Sequence, residues 1–340
     1  MLVSKSTPVS FCGLIANAMR RFVLGIDLGG TKVSAAVVDA SGRIAARARA
    51  KTRAWRDDEE VFATIVLTGR RAIASAGLDS SDLAAVGIGA PGPLDADSGY
   101  IIESTNLKFN NFPLGPRLSQ EFGVQAIVDN DVNAGLYGEF KAGAGRGMRD
   151  VLGVFVGTGI GGGLILDGRL YRGWSKNAGE VGHIIINSGG PRCGCGNRGC
   201  LEALASRVAI TRDARRAIKR GRKTILAGHL KKETDLLSSQ MLKSAYDKGD
   251  AVALKLMNRA AKSIGVGLGS LLNLLGPEMI ILGGGVIEAM DNEFIKRIDR
   301  ATRKVAFDVC VRDLKIVKAE LGDDAGVIGA AILAKEATPS

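Results

Sequence analysis

Apolar and polar residues alternate along the chain in segments whose length and spacing predict the strands and helices of an α/β protein. Residues 22–44 and 151–170 each have the pattern of an apolar strand, a glycine-rich turn and a second apolar strand. Both stretches close on a Gly-Arg pair. The likeness predicts an internal duplication, with two related sheets that face each other across a cleft.

Further strands and helices are predicted around these two hairpins. Residues 83–95 and 124–140 each predict a buried strand that enters a turn, and the second continues into a helix with an Asn/Asp cap. Strands that alternate with helices predict parallel strands in each sheet. The C-terminal half predicts, in order, an amphipathic helix near 251–275 stopped by Gly276-Pro277, a strand within 278–286, a helix near 291–305 and a last helix after Gly322.

The chain has 340 residues, of which 46% are hydrophobic and 24% charged, a composition typical of a globular enzyme with two domains. We expect a disordered leader over 1–20, a small lobe over 21–133 completed by a C-terminal helix at about 323–338, and a large lobe over 134–322. No run reaches the roughly 18 uncharged apolar residues of a membrane span. Five cysteines, an odd number without a signal peptide, favour a reducing compartment, the cytoplasm.

The formal charge of +11 is concentrated in basic runs at 43–56 and 207–232. In the second run, ten Lys and Arg residues accompany one acid, Asp213. Such a run can attract a polyanion, or it can form the solvated face of a helix. The solvated face is favoured and no nucleic-acid partner is expected, because neither interleaved aromatics nor a nucleic-acid motif accompanies the charge.

Glycines in both predicted hairpins are candidates for binding phosphate. Gly157–Gly162 satisfies the dinucleotide fingerprint GxGxxG, but that motif requires a helix next, whereas here the pattern continues as a strand. A Rossmann dehydrogenase is therefore disfavoured. Backbone amides in a Gly/Thr hairpin can still hold phosphate, because the anion approaches closely where no Cβ intervenes. A plain turn is the alternative for Gly29-Gly30, and a third group, Gly283–Gly285, follows another strand.

Two carboxylates follow apolar strands at positions that suit phosphate chemistry. Asp27 lies at the strand end before the first glycine turn and suits hydrated Mg²⁺. Asp131 lies between a strand and a helix, where open α/β sheets carry reactive groups. Phosphoryl transfer needs a base for the acceptor hydroxyl, and Asp131 is the candidate. Its alternative role is a helix N-cap.

Three cysteines and one histidine fall within residues 183–202. Three thiolates and one imidazole complete a tetrahedral structural zinc site without an open position, and disulfide or redox chemistry is the alternative. A loop fixed by zinc can hold Glu180, His183 and Glu202 rigidly for hydrogen bonds to a polyhydroxylated ligand. A surface acid at a helix start is the alternative for Glu202. The predicted metal ligands are His183, Cys193, Cys195 and Cys200.

Together, five motifs resemble those of the ROK family of bacterial sugar kinases and repressors, over about residues 22–335. The resemblance implies the actin-like ATPase (ribonuclease H-like) fold, an α/β duplicated two-lobe fold with ATP between the lobes and a hexose in the cleft. The motifs are Asp27-x-Gly-Gly-Thr-Lys32, Asn130-Asp131, Glu180-x-Gly-His183, Cys193-x-Cys-Gly-x-x-Gly-Cys200-x-Glu202 and Gly283-Gly-Gly285.

The resemblance also implies a role for each matching residue. Asp131 resembles the catalytic base, and the implied cofactors are ATP, Mg²⁺ and a structural Zn²⁺ held by the His/Cys motif. The positions that match sugar contacts are Asn106, Asn130, Glu180, His183 and Glu202. The positions that match nucleotide contacts are Asp27, Gly29, Gly30, Thr31, Lys32, Gly157, Thr158, Gly159, Gly283, Gly284 and Gly285.

The activity implied by the resemblance is an ATP-dependent glucokinase of carbohydrate metabolism (glycolysis) that phosphorylates the 6-hydroxyl of glucose, in a homo-oligomer (dimer or tetramer). Asn177 and Ser104-Thr105 depart from the usual residues beside the sugar, so the hexose is the least determined feature. The alternatives are a kinase for fructose, mannose, N-acetylglucosamine or N-acetylmannosamine, a polyphosphate-dependent glucokinase, and a sugar-sensing regulator. The 21 residues before Phe22 are too few for a helix-turn-helix domain, so a regulator is not favoured.

Overall fold

The computed structural model describes residues 22–52, 57–104 and 107–338, and these form two compact units. Unit 1 contains the described residues up to Gly138 and those from Asp324 onward, and unit 2 contains Glu139–Asp323. The expected leader, residues 1–20, lies outside the described residues. None of the described helices is both long and apolar enough to cross a membrane.

Each unit is built on a five-stranded mixed sheet. The strands are β1 (Phe22–Leu28), β2 (Lys32–Val38), β3 (Ile44–Lys51), β4 (Leu83–Ala90), β5 (Leu94–Asp95), β6 (Tyr100–Ser104), β7 (Phe109–Phe112), β8 (Ala126–Asn130), β9 (Val151–Val156), β10 (Ile160–Leu166), β11 (Arg169–Leu170), β12 (Met279–Gly283) and β13 (Lys315–Lys318). The sheet orders are β3-β2-β1-β4-β8 in unit 1 and β11-β10-β9-β12-β13 in unit 2, and β5-β6-β7 form a small third sheet.

The two large sheets repeat one design, which confirms the predicted duplication. β1 pairs antiparallel with β2 and parallel with β4, and β9 pairs antiparallel with β10 and parallel with β12. The expected parallel strands are present in each sheet, in the pairs β1-β4, β4-β8, β9-β12 and β12-β13, and the remaining pairs of both sheets are antiparallel. The loops 29–31 and 157–159 are so short that they can join only antiparallel neighbours, whereas β4, β8, β12 and β13 follow long connections that contain helices.

Helices pack on these sheets. The helix predicted near 251–275 is confirmed and ends before Gly276, which adopts the left-handed conformation with φ of 57°. The helices are α1 (Asp58–Ser75), α2 (Leu114–Phe122), α3 (Asp131–Ala142), α4 (Leu201–Ala205), α5 (Arg207–Lys219), α6 (Ser239–Asp247), α7 (Ala251–Leu275), α8 (Gly285–Ala289), α9 (Asn292–Arg303), α10 (Asp308–Val311) and α11 (Ala325–Ala337).

The two faces of the first sheet pack in different ways. Leu24, Ile26 and Leu28 of β1 belong to the hydrophobic core that includes α1. The intervening residues face α11, because successive side chains of a strand point to opposite faces. A Cβ at Gly25 would lie 2.0 Å from the carbonyl oxygen of Val327 in α11. The helix therefore rests on the backbone of the sheet.

Gly87 of β4 tests this close approach. A Cβ there would lie 1.9 Å from the carbonyl oxygen of Ala330, so Gly87→Ala should force the helix or strand to shift and lower the free energy of unfolding by about 3 kcal/mol. Gly30→Ala is the control, since nothing lies within 4 Å of its Cβ position. Urea unfolding followed by circular dichroism measures both, and equal stability of the two variants would contradict the packing described.

Candidate active site and metal centre

The first glycine hairpin has an open turn anchored from behind. The Gly29 amide donates to the Lys32 carbonyl at 2.9 Å, and the buried Thr52 hydroxyl donates to the Gly29 carbonyl at 2.5 Å. Gly30 is exposed, and a Cβ at that position would have no neighbour within 4 Å. The main chain of this turn is thus accessible to a ligand. Thr52 is an anchor that the sequence reasoning missed.

Asp27 and Asp131 lie at the same edge of the first sheet. In the strand register Asp27 pairs with Gly89 and Gly89 with Asp129, so Asp131 follows just beyond that level. β1 and β8 are separated by β4, which spaces these strand ends by about 10 Å. A Cβ at Gly89 would lie 3.1 Å from the Asp131 Cα. Gly89, which the sequence analysis did not single out, therefore lets α3 begin close to the sheet.

Asn130 caps α3. Its Oδ1 accepts hydrogen bonds from the amides of Val132 at 2.9 Å and Asn133 at 3.2 Å. Asp131 is the first residue of the helix, and its Oδ1 also accepts from the Val132 amide, at 2.9 Å. Because Asn130 supplies the cap, capping alone does not explain a carboxylate at 131. Asn106, the other predicted polar contact of this unit, lies outside the described residues.

The second glycine hairpin is held by the start of α5. β10 follows its turn directly, which confirms the prediction of a strand in place of the Rossmann helix. The Arg207 amide donates to the Gly157 carbonyl at 3.0 Å, and its guanidinium Nη2 donates to the Thr158 hydroxyl at 2.5 Å. A Cβ at Gly157 would meet nothing within 4 Å. Arg207 is a residue of this site that sequence reasoning missed.

Glu202 also reaches this hairpin. Its Oε2 accepts a hydrogen bond from the Ile160 amide at 2.9 Å. A Cβ at Gly159 would lie 2.3 Å from the same oxygen. The side chain that the sequence analysis linked to sugar binding is therefore bonded to the turn that it linked to phosphate.

The predicted metal ligands are brought together in the same unit. The candidate ligand atoms of His183, Cys193, Cys195 and Cys200 all lie within 4.8 Å of one another. The His183 Nδ1 is 3.5 Å from the Cys193 Sγ, and the Sγ atoms of Cys195 and Cys200 are 3.7 Å apart. Tetrahedral zinc separates such atoms by about 3.5–3.8 Å, given bonds of about 2.0 Å to nitrogen and 2.3 Å to sulfur. The donor set therefore fits a zinc ion, and no disulfide joins these cysteines.

The thiols differ in their readiness to ionise. Burial raises the pKa of Cys200 to about 12 and also raises the pKa of Cys193. The pKa of the exposed Cys195 is lowered, mainly by the hydrogen bond from the Asn197 amide. Two of the three thiols would thus stay neutral near pH 7 without a cation, and a bound divalent ion would stabilise their thiolate forms.

The loop that carries the cluster has little core of its own. Among its buried residues only Cys193, Cys200 and the adjacent Ala203 form a separate apolar cluster. The His183 Nδ1 faces the thiols, and its Nε2 is 4.0 Å from the exposed Glu180 carboxylate. A metal on Nδ1 would therefore leave Nε2 as a hydrogen-bond donor on the side of Glu180.

The third glycine group is constrained mainly by packing. A Cβ at Gly283 would lie 2.6 Å from the Phe155 ring, and Gly284 has φ of 83° with the Val156 backbone 2.7 Å from its Cβ position. The exposed Gly285 begins α8 near the Ser239 side chain of α6. An open groove of about 440 Å³ lies along α6 beside the end of α8, lined by Gln240, Lys243, Ser244, Asp247, Lys248 and Ala289.

Part of the basic run 207–232 has internal partners, so a solvated face describes it incompletely. Asp213 is contacted by Arg212, Arg216 and Arg259. Arg215 donates to the backbone carbonyls of Lys232 and Asp235 at 2.7 and 2.6 Å. These arginines hold segments of unit 2 together.

Comparison with known proteins agrees with this arrangement. The model of the ROK family matches residues 23–337. A glucokinase from Halalkalibacterium halodurans is 34% identical, over 93% of this chain and 96% of its own length. A xylose repressor from Caldicellulosiruptor bescii is 29% identical, over 90% of this chain and 76% of its own. A ROK glucokinase structure from Streptomyces griseus, in complex with glucose and AMPPNP, matches with a TM-score of 0.79 and 33% identity, over 93% of this chain and 99% of its own. The chain therefore belongs to the ROK family, with the actin-like ATPase fold expected from its motifs.

Proposed function

We propose that this protein is an ATP-dependent hexose kinase of glucokinase type, which transfers the γ-phosphoryl group of ATP to the 6-hydroxyl of glucose. One observation carries the proposal: a half-buried carboxylate, Asp131, lies at the same sheet edge as the open turn at Gly30 and the carboxylate of Asp27. A base, a phosphate-binding turn and a cation ligand on one rigid edge are what phosphoryl transfer requires. The two glucokinase relatives support glucose and ATP as substrates.

In this proposal the oxygen of the sugar hydroxyl attacks the γ-phosphorus and ADP leaves, while Asp131 accepts the proton of that hydroxyl. Asn130 uses its Oδ1 on the helix amides, so its Nδ2 is the group that it can offer to a sugar hydroxyl. Mg²⁺, bound by Asp27 and phosphate oxygens, would neutralise charge on the phosphates. Lys32, the first residue of β2, adds a cation beside the same turn.

The remaining sugar and nucleotide contacts follow from chemistry. Glu180 and Glu202 offer acceptors and the His183 Nε2 a donor, the complement of sugar hydroxyls. Asn106 remains a predicted sugar contact. The amides of the two glycine turns suit phosphate, and the open groove along α6, close to Gly285, is the site that we propose for the nucleoside. ATP as the donor and thiolates as metal ligands favour the cytoplasm.

Asp131→Asn should lower kcat by about 10² to 10⁴-fold, because it removes proton acceptance while retaining shape. Binding of ATP and glucose, measured by calorimetry, should change little. Asp58→Asn is a matched control: Asp58 is a half-buried acid in the first turn of α1 that also accepts from the next amide at 2.9 Å. A kcat for Asp131→Asn within tenfold of the parent would refute the assignment of the base.

We also propose that the His183/Cys cluster binds one structural zinc ion per chain. Cys195→Ser should remove the metal and make the loop 183–200 mobile, because the loop has so small a core. Emission spectrometry should find about one zinc per parent chain and much less in the variant, while amide exchange in the loop should quicken. Cys310→Ser, a cysteine outside the cluster, should retain zinc. A metal-free parent purified under reducing conditions would contradict this.

We infer further that the protein is a homo-oligomer, a dimer or tetramer. Leu274, Phe307 and Val309 are 78%, 70% and 74% exposed, and the Phe307 amide bonds to Asn273, the neighbour of Leu274. Grouped apolar side chains of this size are typical of surfaces covered by association. Light scattering should give at least twice the chain mass of 35.5 kDa, and Phe307→Asp should lower it. A monomeric parent at micromolar concentration would exclude the oligomer.

A further inference from the structure

The segment that follows Cys200, the last residue of the His183/Cys cluster, runs along the second glycine hairpin. Residues 202–208 contact the hairpin through both main-chain and side-chain groups, so this one segment supports one side of the hairpin. The contacts are Glu202 Oε2 with the Ile160 amide at 2.9 Å, the Arg207 amide with the Gly157 carbonyl at 3.0 Å, the Val208 amide with the Thr158 carbonyl at 3.3 Å and Arg207 Nη2 with the Thr158 hydroxyl at 2.5 Å.

The Glu202 carboxylate lies between the hairpin and the metal cluster. One oxygen accepts from the Ile160 amide, and the other is 3.8 Å from the Cys193 Sγ. The carbonyl group of Ile160 also has a close neighbour: a Cβ at Gly182 would lie 2.0 Å from its oxygen. Neighbours of the cluster therefore lie against both backbone groups of Ile160: Glu202 bonds the amide, and Gly182, which directly precedes His183, packs against the carbonyl.

Gly159 shows how closely the carboxylate approaches the turn. Around the position of a Cβ at 159, the described atoms within 4 Å are the Glu202 Oε2 at 2.3 Å and its Cδ at 3.3 Å. Its φ also lies outside the left-handed range that favours glycine. A side chain at 159 is thus opposed by Glu202 and not by backbone conformation. The close approach of the Glu202 carboxylate therefore accounts for the glycine at position 159, which is also part of the phosphate fingerprint.

We propose that Glu202 is a positioning residue that couples the metal cluster to the phosphate-binding turn, so that affinity for the phosphate chain of the donor depends on the bound metal. The inference rests on the proposed function, in which residues 157–159 bind phosphate. While Glu202 holds the Ile160 amide, the amides of the turn keep one orientation, and donors oriented beforehand bind an anion with less loss of freedom. Loss of the metal releases the loop that ends at Cys200, and Glu202 with it.

A double-mutant cycle tests the coupling. Glu202→Ala removes the anchor, and Gly159→Ala displaces it through the new Cβ. Each single variant should weaken binding of a fluorescent ATP analogue, measured without sugar, by about tenfold. The double variant should be no weaker than either one, because without the carboxylate the Cβ meets no obstacle. Glu202→Gln, which keeps an acceptor for the Ile160 amide, should restore most of the affinity.

The metal arm uses the intact protein. Removal of zinc by a chelator should weaken binding of the analogue to the parent by a similar factor. In Glu202→Ala, removal of zinc should weaken binding only slightly further. Ser188→Ala is the control, because Ser188 is an exposed residue of the loop 183–200, and the variant should leave binding of the analogue unchanged. Losses that multiply in the double variant, or an unchanged affinity after metal removal, would overturn the inference.

Amide exchange separates this inference from the proposed function. Exchange at residues 157–162 should quicken in Glu202→Ala and on metal removal, whether or not nucleotide is present. Unchanged exchange in both cases would overturn the coupling. A parent that shows this coupling but binds no nucleotide would leave the positioning contact established and refute the kinase proposal.

Discussion

Backbone contact between α11 and the first sheet is the constraint on which unit 1 depends. The contact is possible only because Gly25 and Gly87 present no side chain to the helix. The same helix begins beside a site residue, since a Cβ at Gly326 would lie 2.9 Å from the Asp27 Cγ. A segment from the far end of the chain, residues 325–337, thus packs against the strands and the carboxylate that the proposed chemistry uses.

In unit 2 a close approach to a strand pair is also made possible by glycine, but there a side chain, that of Glu202, makes the approach. Glu202 approaches the turn so closely that a Cβ at position 159 would displace its carboxylate, and the absence of a side chain at Gly182 lets residue 182 lie against the Ile160 carbonyl. The loop 183–200 and the hairpin β9-β10 are therefore packed directly against each other. The loop has almost no apolar core, so the order of the residues proposed to bind substrate depends on contact with the hairpin and, under the zinc proposal, on a bound metal.

Features set by local sequence could be predicted. The duplicated hairpins, the end of α7 at Gly276 and the His/Cys cluster follow from apolar periodicity, a left-handed glycine and the spacing of ligands. The sequence also indicated a helix cap near residue 130, but the choice between Asn130 and Asp131 depends on side-chain orientation, which composition does not encode.

Features set by tertiary contact could not be predicted. Glu202 and Ile160 are 42 residues apart, and Arg207 and Thr158 are 49 apart, so no local pattern joins them. The internal partners within the basic run could not be predicted for the same reason, because those of Arg215 are backbone carbonyls brought near by folding.

The most direct test of the central claim is to identify the product. Glucose, ATP and Mg²⁺ are incubated with the protein, and ³¹P and ¹³C nuclear magnetic resonance follow the phosphorus and the sugar carbons. The account predicts a phosphate ester on the 6-oxygen of glucose, with one ADP formed for each ester. ATP that stays intact, or is hydrolysed to free phosphate without a sugar ester, would contradict it, as would an ester formed only when polyphosphate replaces ATP.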